Sequence, residues 1–343
     1  MNKVTKTLFI LFIVLFLFFI YYFFINKDME RKKITWGVNF SQMQAEALKL
    51  DWKKTYLAIL EDLEVKNIKL HTQWNFVEGN PPPPKASDGQ RKHNYYFNDI
   101  DWQIQQSKKH QASLIYVVGM KTGRWPECHI PAWAKNLSKE EQQDEILQYI
   151  KEVVTRYKGS RSITAWQAEN EPLFKFGVCP WYDKEFLKKE VSLIKSLDST
   201  RPVIVSDSGE QSLWIEVAKI GDIVGTTMYR KVWVHITDKL GFYFNFPIPA
   251  ISYRIKAETI KKLFGKEVIN VELQAEPWVK DVYIETPLKE QEKSMNLTQF
   301  KKNVEYAKKT GFNKFYFWGA EWWFWLKEKQ GNPEIWNEAK KLF

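Results

Sequence analysis

The sequence predicts a single α/β domain, a (β/α)8 TIM barrel, preceded by an N-terminal transmembrane helix. Three observations lead there. Eight short apolar runs alternate with amphipathic stretches of helical period, the pattern of repeated βα units around a parallel sheet. Two of the runs end in acidic side chains followed by proline, at Glu169-Asn170-Glu171-Pro172 and at Glu272-Leu273-Gln274-Ala275-Glu276-Pro277. Close to the amino terminus, residues 8–25 are apolar and carry no charge.

That first run falls within the roughly 17–25 residues that span a bilayer as a helix. It is flanked by Lys3 and Lys6 on one side and by Lys27, Asp28, Glu30, Arg31, Lys32 and Lys33 on the other. A cleaved signal peptide would have a shorter apolar region ending in small residues before the cut. Here the run closes on Tyr21-Tyr22-Phe23-Phe24-Ile25-Asn26, so an uncleaved anchor is expected. The chain then divides into an anchor with its flanks, 1–33, and one barrel domain, 34–343. The 343 residues suit one large core if that core is an α/β barrel. The basic residues are nearly balanced across the apolar run and leave its orientation open.

The eight strands are expected at 35–40, 68–73, 113–120, 163–168, 203–206, 223–228, 268–272 and 314–318. Helices are expected between them at 51–63, 99–110, 139–156, 183–197, 211–220, 251–263 and 298–310, with a closing helix from near Pro333. Groups that do chemistry on such a barrel sit at the C-terminal ends of the strands. The connections after strands are long at 74–98, 121–138 and 229–250, and long connections in a compact domain are usually functional. The first contains Pro81-Pro82-Pro83-Pro84, a stiff spacer, and reads as a rim loop. The third, rich in aromatics and prolines, reads as a packed lid over the mouth.

Charge and cysteine usage exclude several classes. Of the net charge of +10, residues 1–33 carry +4 from six basic and two acidic groups, and the remainder carries +6 from 45 basic and 39 acidic groups. The excess is spread over lysine pairs on helix faces and not concentrated on one element, which argues against a nucleic-acid partner. The two cysteines, Cys128 and Cys179, belong to no paired-cysteine metal pattern. Both follow predicted strands in consecutive units, and sequence leaves open whether they are bonded. His71, His93, His110, His129 and His235 form no spaced ligand set, so no catalytic metal is expected. With no Gly-rich phosphate loop, none of the usual cofactors is expected either, and there is no Gly-x-Ser-x-Gly nucleophile elbow.

Two carboxylates on separate strand ends are the minimal equipment for glycoside hydrolysis. On these residues the chain resembles the retaining glycoside hydrolases of clan A, the cellulase-like (β/α)8 barrels. The resemblance covers essentially everything after residue 33, through the number and order of strands. It implies that Glu171, in the strand-four motif Asn170-Glu171-Pro172, is the acid/base, and that the strand-seven glutamate is the nucleophile. Glu272 is the better match for the nucleophile, because it directly ends the apolar run. Glu272, Gln274 and Glu276 share one side of an extended segment, so Glu276 is the rival, with substrate contact or an arginine partner as its other roles. The resemblance also implies that Asn170 contacts the sugar 2-hydroxyl, that Tyr229 hydrogen-bonds the nucleophile, and that Trp318 floors the first sugar subsite. Where the clan commonly has an arginine on strand two, this chain has Ile68-Lys69-Leu70-His71, and Lys69 or His71 takes its place. The abundance of tryptophan after strands, Trp74 among them, suits a cleft lined with flat aromatic faces.

The sequence therefore reads as a membrane-anchored retaining glycosidase acting on a β-linked oligosaccharide or polysaccharide. The lipid bilayer is its second partner, and the domain is expected to be extracytoplasmic. The alternatives are a glycan-binding barrel without catalysis and a transglycosidase on the same scaffold.

Overall fold

The structure, a computed structural model, describes residues 3–25, 33–80, 93–237, 240–281 and 285–343, and within the first helix it omits the side chains at 3, 4, 17 and 20–25. The proline spacer at 81–84 and the charged flank at 27–32 lie outside the described residues. The chain divides into two units, Met1–Lys33 and Ile34–Phe343.

The first unit is a helix, α1 (Lys3–Ile25). Among the described residues no helix is long and apolar enough to cross a membrane. The spanning helix expected from the sequence is thus not a feature of the described structure.

The second unit is the barrel. Eight parallel strands close it: β1 (Thr35–Ser41), β2 (Asn67–His71), β3 (Ser113–Val118), β4 (Ile163–Ala168), β5 (Val203–Asp207), β6 (Ile223–Met228), β9 (Glu267–Gln274) and β10 (Lys314–Trp318). The strands β7 (Lys231–His235) and β8 (Gly241–Asn245) form an antiparallel hairpin after β6. The expected lid at 229–250 is therefore a β-ribbon, explained by its alternation of β-branched and aromatic residues. The expected helix at 211–220 shrinks to Ile215–Ala218, while a helix absent from the sequence reading, Ala320–Gln330, follows β10. Its run Trp322-Trp323-Phe324-Trp325 is buried on all sides, so no apolar/polar period marked it as helical.

Side chains alternate between two environments. Val38, Phe40, Ile68, Leu70, Tyr116 and Trp166 face the surrounding helices, while Ile115, Ala165, Ile204, Ile269, Val271 and Tyr316 fill the barrel's interior. Towards the C-terminal mouth the interior turns polar, with Asn39, Lys69, Gln167, Ser206 and Asn270 all buried. Asn39 fastens this layer by donating from Nδ2 to the carbonyls of Val271 (3.0 Å) and Phe317 (3.1 Å).

Candidate active site

The mouth is built from the strand ends. Pairing along β9 skips a residue on both sides: Thr226 and Thr227 face Asn270 and Glu272, and Phe315 and Phe317 face Asn270 and Leu273. This bulge resets the alternation. Val271 still packs in the interior cluster, and Glu272 one residue later also turns inward. There Glu272 accepts a hydrogen bond from Lys69 Nζ (3.0 Å) at one oxygen and from the Tyr229 hydroxyl (2.8 Å) at the other. Lys69 is fully buried and Glu272 is 2% exposed. Burial lowers the pKa of the lysine, and the charge and hydrogen bond of Glu272 act against that shift. Of the two strand-two candidates, Lys69 is the cation beside the strand-seven glutamate. His71 lies one layer out, its ring fixed between the Thr122 carbonyl and Asn39 Oδ1.

Glu171 enters from the end of β4. Both Glu169 and Glu171 have positive φ, 58° and 46°, a conformation that side-chain-bearing residues adopt at a cost of about 1–2 kcal/mol. Tertiary contacts hold it. Ser206 Oγ accepts from the Glu171 N–H (2.9 Å), and Thr227 Oγ1 donates to Glu171 Oε1 (3.1 Å). Burial, and then the charge of Glu272, push the Glu171 carboxyl well above the usual range, which favours its protonated form. Asn170 joins the two sides, its Oδ1 accepting from Lys69 Nζ (3.0 Å) and Gln167 Nε2 (3.2 Å). This leaves the Asn170 amide N–H groups for another acceptor.

Glu169 does not face the mouth. Its carboxyl accepts from the N–H groups of Met120 and Lys121, both at 2.6 Å, and hydrogen-bonds Glu190. Gly119 makes this approach possible, since a Cβ there would lie 2.3 Å from Glu169 Oε1. Behind the loop, burial raises the pKa of both carboxyls of this pair.

The remaining expected residues separate. Trp318 lies beside the ion pair, with Lys69 Nζ 6.0 Å from its ring centre and the His71 ring edge-on at 5.2 Å. It also carries the Arg124 guanidinium 4.1 Å from its ring centre, so part of the ring expected to floor a sugar is taken by a cation. Glu276 is an arginine partner: Arg124 donates to it and, at 3.1 Å, to Glu321. Trp74 is not brought to the mouth. It is fully buried, donates to Glu78 (3.0 Å) and stacks on Tyr149, because Trp74–Val77 forms a short helix where an open loop was expected.

Lys121, Arg124, Glu127 and Glu321 also stand at the mouth; the sequence sets Arg124 and Glu127 on its rim, in ion pairs or turn contacts ahead of substrate hydrogen bonds, and gives Lys121 and Glu321 no place there. The first three lie on the loop after β3, which is fastened to the loop after β4 by a disulfide between Cys128 and Cys179 (Cα–Cα 5.2 Å). Asn170 N–H donates to the Lys121 carbonyl (2.5 Å) and Val178 N–H to the Pro126 carbonyl (2.9 Å). The spacing of the cysteines on consecutive loops was the available signal. Beyond the loops, Tyr229, Trp278, Phe176 and Trp125 form a chain of ring contacts 5.0–6.2 Å apart that ends on Trp125, 66% exposed at the rim. Among the described residues no group of three or more His, Cys, Asp or Glu could hold a metal ion.

Comparison with known proteins places this architecture. Residues 117–272 match the sequence profile of the glycosyl hydrolases family 2, TIM barrel domain. Xylanase 10B from Thermotoga petrophila superposes with a TM-score of 0.53 at 16% identity, covering 84% of this chain and 82% of that one. The endo-β-1,4-mannanase of Thermotoga petrophila gives 0.55 at 17% identity, covering 84% and 68%. The β-galactosidase of Halorubrum lacusprofundi gives 0.54 at 12% identity, covering 83% of this chain and about half, 52%, of its own. No curated protein matches the chain in sequence. The profile match spans less than half of the chain; with the closed barrel of eight parallel strands it supports a glycosidase with a barrel of the clan A type.

Proposed function

We propose that the chain cleaves a β-linked glycan with retention of configuration, with Glu171 as acid/base and Glu272 as nucleophile. The observation that carries this reading is the contrast between two buried carboxyls in one mouth. Glu272 is paired with the Lys69 ammonium and the Tyr229 hydroxyl, while burial and the charge of Glu272 raise the Glu171 carboxyl, which favours its protonated form, and it receives a neutral hydroxyl. Such pairs, with environments that push them apart, assign acid and base roles.

In the first step Glu272 attacks the anomeric carbon and forms an ester, while the bond to the glycosidic oxygen breaks and that oxygen takes the Glu171 proton. Thr227 occupies Glu171 Oε1, which leaves Oε2 to carry the proton. In the second step Glu171, now ionised, removes a proton from water, and the hydroxide oxygen displaces Glu272 from the anomeric carbon. An acceptor sugar hydroxyl in place of water makes the same step a transglycosylation. The free amide N–H of Asn170 suits the 2-hydroxyl, a contact that strengthens in the transition state. Retention calls for the two carboxyls roughly 5–5.5 Å apart, inversion for roughly 6.5–9.5 Å.

Attachment to a bilayer, with the barrel facing outward, belongs to the same proposal. It rests on the uncharged run at 8–25 and on the exposure of its described apolar side chains, such as Leu8, Phe12 and Phe19. Sedimentation of the full chain with membranes at high salt, and its release by detergent alone, would support this attachment.

The test of the chemistry is mass spectrometry of the full chain after exposure to 2-deoxy-2-fluoro glycosyl donors. An adduct on Glu272 supports the proposal and names the sugar. An adduct on Glu276 moves the nucleophile. Glycan binding with no adduct from any donor favours the non-catalytic barrel.

A further inference from the structure

Among the described residues, Glu127 is the one acidic side chain of the mouth that the proposed mechanism leaves without a task and that makes no side-chain hydrogen bond. It lies in the loop after β3 with φ +76°, a backbone conformation suited to glycine. The turn around it is closed by its own N–H to the Arg124 carbonyl (2.6 Å) and by Thr122 N–H to its carbonyl (3.2 Å). From the other side Gly177, φ +95°, lies against its stem: a Cβ at Gly177 would sit 2.5 Å from Glu127 Cβ. Two loops, joined by the Cys128–Cys179 bond, thus cradle one side chain.

The side chain is 7% exposed, yet neither carboxyl oxygen makes a hydrogen bond among the described residues. Nor are those oxygens among the fully sealed, unpartnered atoms of the interior, so they keep some exposure. Their charged neighbours are Lys121, Glu272, Lys69 and Arg124, and the Glu127 carboxyl in turn acts on Glu171. Burial pushes it up to about 8, so at neutral pH it can both donate and accept. A strained backbone holding a buried polar group with no partner is a cost that local folding does not repay, and strain of this kind clusters at functional sites.

We propose that Glu127 is a specificity-determining residue that binds one hydroxyl of the sugar held between Glu171 and Glu272. This assignment rests on the glycosidase reading of the same mouth. A site built to hydrogen-bond a hydroxyl rejects the analogue lacking it, because its own polar group is then left unpaired. Glu127 therefore sets which deoxy or epimeric sugars are turned over.

The experiment measures kcat/KM of the full chain on 4-nitrophenyl β-D-glucoside, galactoside, mannoside and xyloside, then on the monodeoxy forms of the sugar accepted. Wild type is expected to disfavour one deoxy form by about 10–100-fold. Glu127→Gly removes the carboxyl and suits the left-handed backbone, so it avoids the strain of other truncations. It should lose that same factor on the hydroxylated substrate and none on the deoxy form, which brings their ratio close to one. Glu127→Gln, which keeps donor and acceptor, should restore most of the discrimination. Turnover by wild type with every deoxy ratio unchanged in Glu127→Gly overturns the role of Glu127 and leaves the glycosidase reading standing. No turnover by wild type and no labelling by fluoro donors overturns both.

Discussion

Removing the Lys69 ammonium separates a structural from a catalytic role at the mouth. Lys69 is fully buried and donates to Glu272 and Asn170, each at 3.0 Å. Lys69→Met keeps the volume of the stem and deletes the charge. It leaves Glu272 buried with only the Tyr229 hydroxyl as a partner. Breaking a buried pair from one side costs about 3–5 kcal/mol of folding stability, and denaturant unfolding measures it. Hydrogen bonds to charged groups contribute about 1.5–3 kcal/mol each, so kcat/KM at neutral pH should fall by roughly 10²-fold. The double variant Lys69→Met/Glu272→Gln should recover stability but no activity, since no uncompensated charge remains. A Lys69→Met protein with kcat/KM within three-fold of wild type would refute the view that this pair readies the nucleophile.

Three further outcomes follow from the same contacts. Tyr229→Phe removes the 2.8 Å hydrogen bond to Glu272 and should lower kcat/KM by about 10–100-fold with folding intact, as read by steady-state kinetics and circular dichroism. Glu171→Ala should cost about 10²–10⁴-fold on substrates with poor leaving groups and far less on dinitrophenyl glycosides, and azide should restore turnover as a β-glycosyl azide. At the Glu169–Glu190 pair both carboxyls have folded pKa values raised by burial, that of Glu169 to about 7. The folded state therefore holds protons that the unfolded chain has released. The contribution is fully present below the unfolded carboxyl pKa and is lost as pH rises through the folded one. Thermal stability should decline from about pH 5 to 7 in wild type, and Glu190→Gln should flatten that slope.

Much of this protein was legible along the chain. Strand-forming runs such as 163–168 and 314–318 are short, β-rich and bounded by turns, and both appear with those limits. Glu171 and Glu272 could be located because a barrel presents its chemistry at strand ends, and the strand ends are marked by where apolar runs stop. The helix Ala320–Gln330 and the hairpin of β7 and β8 were not legible. Burial on all sides erases helical periodicity in the first, and an aromatic-rich loop and an aromatic β-ribbon share one composition.

What the sequence determined by itself was the order of elements and the identity of the residues at their ends, since both depend on local pattern and side-chain size. Which of those residues meet was decided only by tertiary structure. The bulge in β9 turns Glu272 inward, ring closure brings Lys69 to it across 203 positions of chain, and Arg124 claims Glu276 across 152. Trp74 went to the core for the same reason, because a helical turn after β2 points it away from the mouth. Contacts of this range are made by register and closure, which depend on all eight strands at once, and no window of sequence contains them.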